Sequence, residues 1–387
     1  MKKSLLKRII ISEQVLNLNN LKLNVNLNIL NEIKNLDKIK SREYLKKENI
    51  ISITNYDDKI IKKYNSTLKE ILNNNKNLFD FVDISFYGNK LNSSFVSSRI
   101  IRDIINKLNV KIIYECKNRK VVVFSNKIID NNLIKKIDSI FNFFDLITKK
   151  NNNYFLEIFL SEKKKYLNEN LDGFYPDNIN SGATIPGNFI YIYRKEELIK
   201  VLFHELIHYL KLDMNDHQNY FMSIYSNINL KADMINPNEA YTELLALLLL
   251  NIWEHNYLNV DIELNNYVNK KLTLELGWSY YQISKILKYF KCYNSYEELF
   301  TTKCQFIQKT NVLSYFFLKT YFLQNINIIL KDFSINSLKI NLSIVKSILQ
   351  NTNLRDQYFS NNINKTLKIY DQMKIKDSYS MRMTCTG

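Results

Sequence analysis

The chain has 387 residues, 46% of them apolar and 13% aromatic, and a formal charge of +16. Such a length accommodates two or three domains, and such a composition suits a folded protein rather than a disordered one. A helical membrane protein is not expected. No stretch approaches the roughly 20 uncharged apolar residues that cross a bilayer, and the best, LLALLLLNIW (244–253), is short and follows Glu243 directly.

The positive charge is spread along the sequence rather than gathered in one run, and Asn, Ile, Lys and Tyr, which AT-rich codons favour, saturate it. It reads as solvated surface, and a nucleic-acid partner is not expected. The start, MKKSLLKRIIISEQ, breaks its apolar run with Lys7 and Arg8, and no small-residue cleavage site follows, so a secretory signal is not expected. Cys116, Cys292, Cys304 and Cys385 show no CxxC spacing. Neither a disulfide framework nor a cysteine metal site is expected, and an intracellular, reducing setting is the simplest reading.

In chain order, residues 1 to about 80 alternate Leu and Ile with Asn and Lys in helix-compatible fashion. They read as a helical arm or small domain, 1–85. SSFVSSRIIRDIINKLN (93–109) has helical spacing, VKIIYECKNRKVVVFSN (110–126) predicts a hairpin, LIKKIDSIFNFFDLITKK (133–150) a helix and YFLEIFL (154–160) a strand. Gly173, Pro176, Gly182, Pro186 and Gly187 crowd one window of a chain with six glycines and three prolines, which predicts a structured loop. NFIYIYR (188–194) follows as a strand, and KEELIKVLFHELIHYLKLD opens a helix with acidic residues. INPNEAYTELLALLLLNIWEH (235–255) predicts a second helix, with Asn236 as N-cap and Pro237 at its first position. From about residue 239 onward the chain reads as mostly helical. The boundaries drawn are 1–85, a catalytic domain at 86–255 and a helical domain at 256–387.

HELIH (204–208) carries the chemistry. Residues four apart share a helix face, so His204 and His208 point the same way and can hold one metal ion. Glu205 is displaced about 100° around the helix and reaches a water beside the ion without ligating it. The blander alternative is a packed histidine pair. A catalytic zinc site needs a third protein ligand. The metzincin continuation fails, because Lys211 and Met214 stand where Gly and His are required, and Asp213, Asp216 and His217 lack the spacing. The other source is a glutamate from a second helix. Glu239 and Glu243 share one face of the helix at 235–255, whose remaining apolar surface predicts burial, and buried carboxylates need cationic compensation. Exposed acids favouring a helix N-terminus are the alternative.

With HELIH followed by NEAYTE, the chain resembles the gluzincin metallopeptidases, the clan of thermolysin, over roughly residues 110–255. The resemblance implies an α+β, zincin-like catalytic domain, a small mixed sheet with an active-site helix, ahead of the helical C-terminal region. It implies that Glu239 is the third zinc ligand and that Glu243, where the clan carries Asp, orients a histidine. NFIYIYR would be the edge strand on which an extended peptide pairs. The Asn-, Lys- and Ile-rich style also resembles proteins of large DNA viruses and AT-rich microbes.

The expectation is a zinc-dependent peptidase, an endopeptidase acting on polypeptide, with Glu205 as general base. For the donor to the developing oxyanion the candidates are Tyr241, His255, Tyr257 and, first among them, Tyr315. The competing expectation is an idle zincin-fold scaffold binding a protein or acidic partner. Intact Glu205 argues against it, and the absence of a GAMEN motif argues against an aminopeptidase.

Overall fold

The computed structural model describes residues 2–25, 46–52 (backbone only), 96–167, 173–213, 236–301, 304, 306–330, 356–373, 377 and 380–386. Much of the first 85 residues, and His217, lie outside these. Within that stretch, α1 (Lys2–Asn19) is helical as its spacing predicts, but β1 (Lys46–Ser52) is a strand. Cross-strand pairing outweighs its helix-compatible pattern: β1 runs antiparallel to β2 (Val110–Cys116).

β2 and β3 (Arg119–Ser125) form the predicted hairpin. Helix α3 (Asn131–Thr148) then crosses over to β4 (Tyr154–Phe159), which lies parallel to β3. β6 (Phe189–Ile192) is parallel to β4, and β5 (Gly182–Ile185) is antiparallel to β6. The sheet is mixed, in the order β1-β2-β3-β4-β6-β5. Two expectations are corrected here. NFIYIYR is not the edge strand, because β5 lies outside it. The glycine- and proline-rich window is not all loop: it folds into the short helix α4 (Pro176–Ile179), β5 and a turn. β6 is buried at all four positions, as an interior strand must be, whereas every residue of β5 is at least partly exposed.

Strand side chains alternate between faces, and the two faces build two apolar layers. Val122, Phe124, Phe159 and Tyr191 pack against α2 (Ser98–Lys107), chiefly Ile100 and Ile104. On the other face, Val121, Val123, Leu156, Ile158 and Ile192 meet α3 and α5 (Leu198–Tyr209). Phe203 of α5 touches Phe143 and Phe144 on one side and Trp253 on the other. Trp253 belongs to α6 (Pro237–Leu258), which opens with the predicted Asn236 cap and Pro237.

The region after α6 is helical: α7 (Leu264–Tyr289), a π-helical segment (Leu313–Leu318) continuing into α8 (Lys319–Gln324), α9 (Ile326–Ile329) and α10 (Gln357–Tyr370). α1 crosses α7 closely enough that a side chain at Gly277 would run into Ser12. Cys292 and Cys304 are joined in a disulfide, against the sequence expectation, because the chain doubles back after α7. Among the described residues, no helix is long and apolar enough to cross a membrane.

Residues 380–386 thread through the interior between these helices. The Arg8 guanidinium donates to the Cys385 carbonyl (2.6 Å) and Lys319 Nζ to that of Met383 (2.8 Å). Glu197, just ahead of α5, accepts from the Thr384 amide (2.9 Å), the Thr384 hydroxyl (2.7 Å) and Lys165 Nζ (2.9 Å). Glu275 of α7 accepts from the amides of Cys385 and Thr386. Burial alone would raise the Glu197 pKa, but the charges of Lys165, Arg382 and Lys200 hold it well below the usual carboxylate range. A depressed carboxylate pKa stabilises the fold above its unfolded value, near 4.5, and the stabilisation is lost as pH falls below that. Resistance to urea unfolding is expected to fall from pH 5 to pH 3. Glu197→Gln is expected to cost about 3–5 kcal/mol at pH 7, the usual loss for breaking a buried pair, and to flatten that acid dependence. An unchanged acid profile in the variant would refute the assignment.

Candidate metal centre

Helix α5 sets the geometry. His204 and His208 lie one turn apart, their rings edge to face and their Nε2 atoms 3.0 Å from each other. Glu239, in the first turn of α6, brings Oε2 to 3.3 Å from His204 Nε2 and 3.6 Å from His208 Nε2. The three residues form the candidate metal-ligand group found among the described residues. In a tetrahedral site with ligands at about 2.0–2.1 Å from zinc, neighbouring ligand atoms stand about 3.3–3.4 Å apart. The three observed spacings bracket that value, so the residues fit a zinc ion.

The outer ring nitrogens strengthen the fit. His208 Nδ1 lies 2.7 Å from Asp213 Oδ2, and His204 Nδ1 lies 2.9 Å from Glu243 Oε1. The His208 Nδ1 hydrogen bond to Asp213 turns its Nε2 inward towards Glu239, and His204, whose Nδ1 faces Glu243 at ion-pair distance, presents its own Nε2 to the same carboxylate. Three electron-rich atoms facing one another require a cation among them, a proton or a metal. Burial disfavours the charged imidazoles, yet the carboxylates prevail: Glu243 raises the His204 pKa, and Glu239 with Asp213 raises that of His208 well above the ordinary range. Glu239 is held well below its ordinary value against its own burial by the two histidines.

Glu243 is anchored from behind by Lys200, whose Nζ donates to both carboxylate oxygens. Both side chains are buried. Burial would raise the Glu243 pKa, but Lys200 and His204 bring it down to about 2. Lys200 precedes His204 by four residues and so shares its helix face, a signal already present in the sequence.

Glu205 faces the edge strand. Its Oε2 accepts from the Thr184 hydroxyl at 2.7 Å, and burial raises its pKa. A Cβ on Gly182 would stand 2.8 Å from Glu205 Oε1 and 3.0 Å from Val201, so a side chain there would push against this carboxylate. Tyr315 lies in the π-helical segment, and its hydroxyl donates to Glu239 Oε2 at 3.0 Å. Burial and the charges of Glu239, Glu243 and Glu205 hold that phenol protonated. Ser314, one residue earlier, accepts from the Asn236 amide at 3.0 Å and ties this segment to the start of α6.

The structure thus brings His204, Glu205, His208, Glu239, Glu243 and Tyr315 together. The other oxyanion candidates are placed elsewhere. His255 Nε2 contacts the Ile262 carbonyl (2.7 Å), Tyr257 stacks on Trp253, and Tyr241 is buried about 200° around α6 from Glu239. Sequence reasoning missed Lys200, Thr184, Gly182 and the orienting role of Asp213. The last three approach only through folding.

No protein-family model matches the chain, and no solved structure matches it. Among curated proteins, the uncharacterized protein R210 of Acanthamoeba polyphaga mimivirus is 35% identical over 160 residues, 39% of this chain and 40% of that protein. The match spans about two fifths of that relative's length. A distant homologue in a large DNA virus accords with the compositional resemblance noted above.

The geometry sets a metal prediction. The purified chain is expected to hold about one equivalent of zinc by elemental analysis, and His204→Ala or Glu239→Ala to lose it. Asp213→Ala is expected to weaken zinc affinity by about 10–100-fold, as for other residues that orient a metal-bound histidine. Full zinc retention in Glu239→Ala would remove it from the ligand set.

Proposed function

We propose that the chain is a zinc-dependent peptidase of zincin-like fold, an endopeptidase that cleaves extended polypeptide. The observation that carries this reading is the meeting of Glu239 with both HELIH histidines, with Glu205 beside them but turned to the edge strand. His204, His208 and Glu239 would hold the ion. When bound, zinc supplies a Lewis acid that eases deprotonation of water and polarises a carbonyl oxygen.

The remaining work falls to this chain's own side chains. Glu205 takes the proton from the attacking water and returns it to the leaving amine, a relay suited to a carboxyl whose proton affinity burial has raised. Thr184 fixes the orientation of that carboxylate. Tyr315, protonated and one hydrogen bond from Glu239, turns its hydroxyl to the oxyanion that develops on the scissile carbonyl. β5 ends the sheet beside Glu205, and an extended substrate adds there by main-chain pairing.

Glu205→Gln is expected to retain zinc and lose cleavage of a denatured protein substrate, read by gel and mass spectrometry. Cleavage surviving that change would show that Glu205 is not the base. Loss of zinc would show a structural role instead. Gly182→Ala pushes against Glu205 and is expected to lower kcat/KM by about tenfold or more with zinc unchanged, since displacement near 1 Å at a reacting group costs up to about 100-fold. If neither wild type nor variants cleave while zinc binds stoichiometrically, the scaffold reading is favoured.

A further inference from the structure

A second site lies beyond the carboxyl ends of the parallel strands β4 and β6, on the sheet face away from HELIH. The chain leaving β4 carries Lys163 and Lys164, the chain leaving β6 carries Arg194, and the first turn of α2 carries Arg99. All four line one cavity of about 250 Å³. Open α/β sheets bind ligands beyond the carboxyl ends of their parallel strands, where connections diverge and leave a crevice. This crevice is strongly cationic. Its one carboxylate among the described residues, Asp177, is already taken up by the Ser97 hydroxyl and the Arg194 guanidinium.

Neighbouring carboxylates are engaged elsewhere: Glu162 with Lys195 (2.7 Å), Asp103 with Lys107 (2.7 Å) and Glu196 with the Lys165 amide (2.7 Å). Among the described residues, Arg99, Lys163 and Lys164 have no carboxylate partner within 4 Å. Arg194 is 1% exposed and donates to the carbonyls of Asn180 and Asp177, so it fixes a positive floor rather than a mobile arm.

Aromatic rings complete the site. Of the described tyrosines only Tyr166, Tyr175, Tyr293 and Tyr358 are exposed, and the first two stand on the rim of this one cavity. Cations tracking a backbone beside solvent-facing aromatic rings are the elements with which proteins hold unpaired nucleotides, phosphate on the charges and base on the ring. We propose that this cavity binds a nucleotide unit, its phosphate on Arg99, Lys163 and Lys164 and its base against Tyr166 or Tyr175. The site is independent of the metal centre: it is built on the α2 face of the sheet, and HELIH lies on the other. The spread of cations along the sequence hides it, because residues 99, 163, 164 and 194 meet only through the sheet.

The test uses the full chain and three probes: a fluorescein-labelled single-stranded oligo(dT), AMP, and a phosphotyrosine peptide. The oligonucleotide and AMP are expected to compete for one site. Tighter binding of the oligonucleotide identifies a polynucleotide source, and equal binding a free nucleotide. Lys163→Ala/Lys164→Ala is expected to weaken oligonucleotide binding at least tenfold and reduce its salt dependence. Tyr166→Leu/Tyr175→Leu is expected to weaken it at least fivefold, the lower range for one lost stack. Lys365→Ala/Lys368→Ala, the same charge change on the exposed face of α10, is expected to leave binding within twofold, and Glu205→Gln to leave it unchanged. Circular dichroism checks that each variant folds. Equal loss in the α10 variant would reduce the site to diffuse charge and overturn the proposal. So would full binding in the tyrosine variant, or a phosphopeptide binding as tightly as AMP.

Discussion

The packing of two carboxylates on α6, Glu243 buried and Glu239 half-buried, governs this structure. Glu239 and Glu243 stand in the first two turns of a helix whose body is apolar and enclosed, and ionised carboxylates in such a place are costly without opposite charge. Helix α5 supplies that charge along a single face, Lys200, His204 and His208 at successive turns. The two helices must pack at the one depth and rotation that brings these five groups into register. The candidate metal-ligand group is a product of that requirement as much as of HELIH.

The same logic recurs behind the site. Residues 380–386 run through the interior with their backbone groups satisfied by Arg8, Glu197, Glu275 and Lys319, drawn from four separate places in the chain. Met383 of this segment brings its sulfur to 3.8 Å from Lys200 Nζ. The helical region is thereby coupled to the start of α5 through charge-assisted hydrogen bonds as well as apolar contact. On the other side of α5, β5 touches Glu205 through Gly182 and Thr184. One helix therefore carries its cations towards α6 and its remaining carboxylate towards the sheet edge.

The π-helical segment at Leu313–Leu318 adds the tyrosine. A wider turn rotates side chains relative to an α-helical register, and such segments concentrate at functional sites. Here it accompanies the hydrogen bond between Tyr315 and Glu239, and Ser314 pins it to the start of α6. Nothing in VLSYFFLKTYF distinguishes Tyr315 from the other tyrosines of the chain by pattern alone.

Much of the architecture follows from local rules. The hairpin at 110–125 lies in its β-branched runs, α3 and α5 in their apolar periodicity, and the start of α6 in Asn236 and Pro237. The shared face of His204 and His208, and that of Glu239 and Glu243, follow from helix pitch, which depends on residues four apart and nothing further away. What the tertiary structure alone decided are the relations between distant segments: β5 outside β6, Asp213 at His208, Thr184 at Glu205, Cys292 with Cys304, and the cations gathered at the ends of β4 and β6. Helix and strand periodicities encode which way a side chain points from its own element. Which element it then meets depends on how several buried faces and charges are satisfied at once, and no single stretch of sequence carries that.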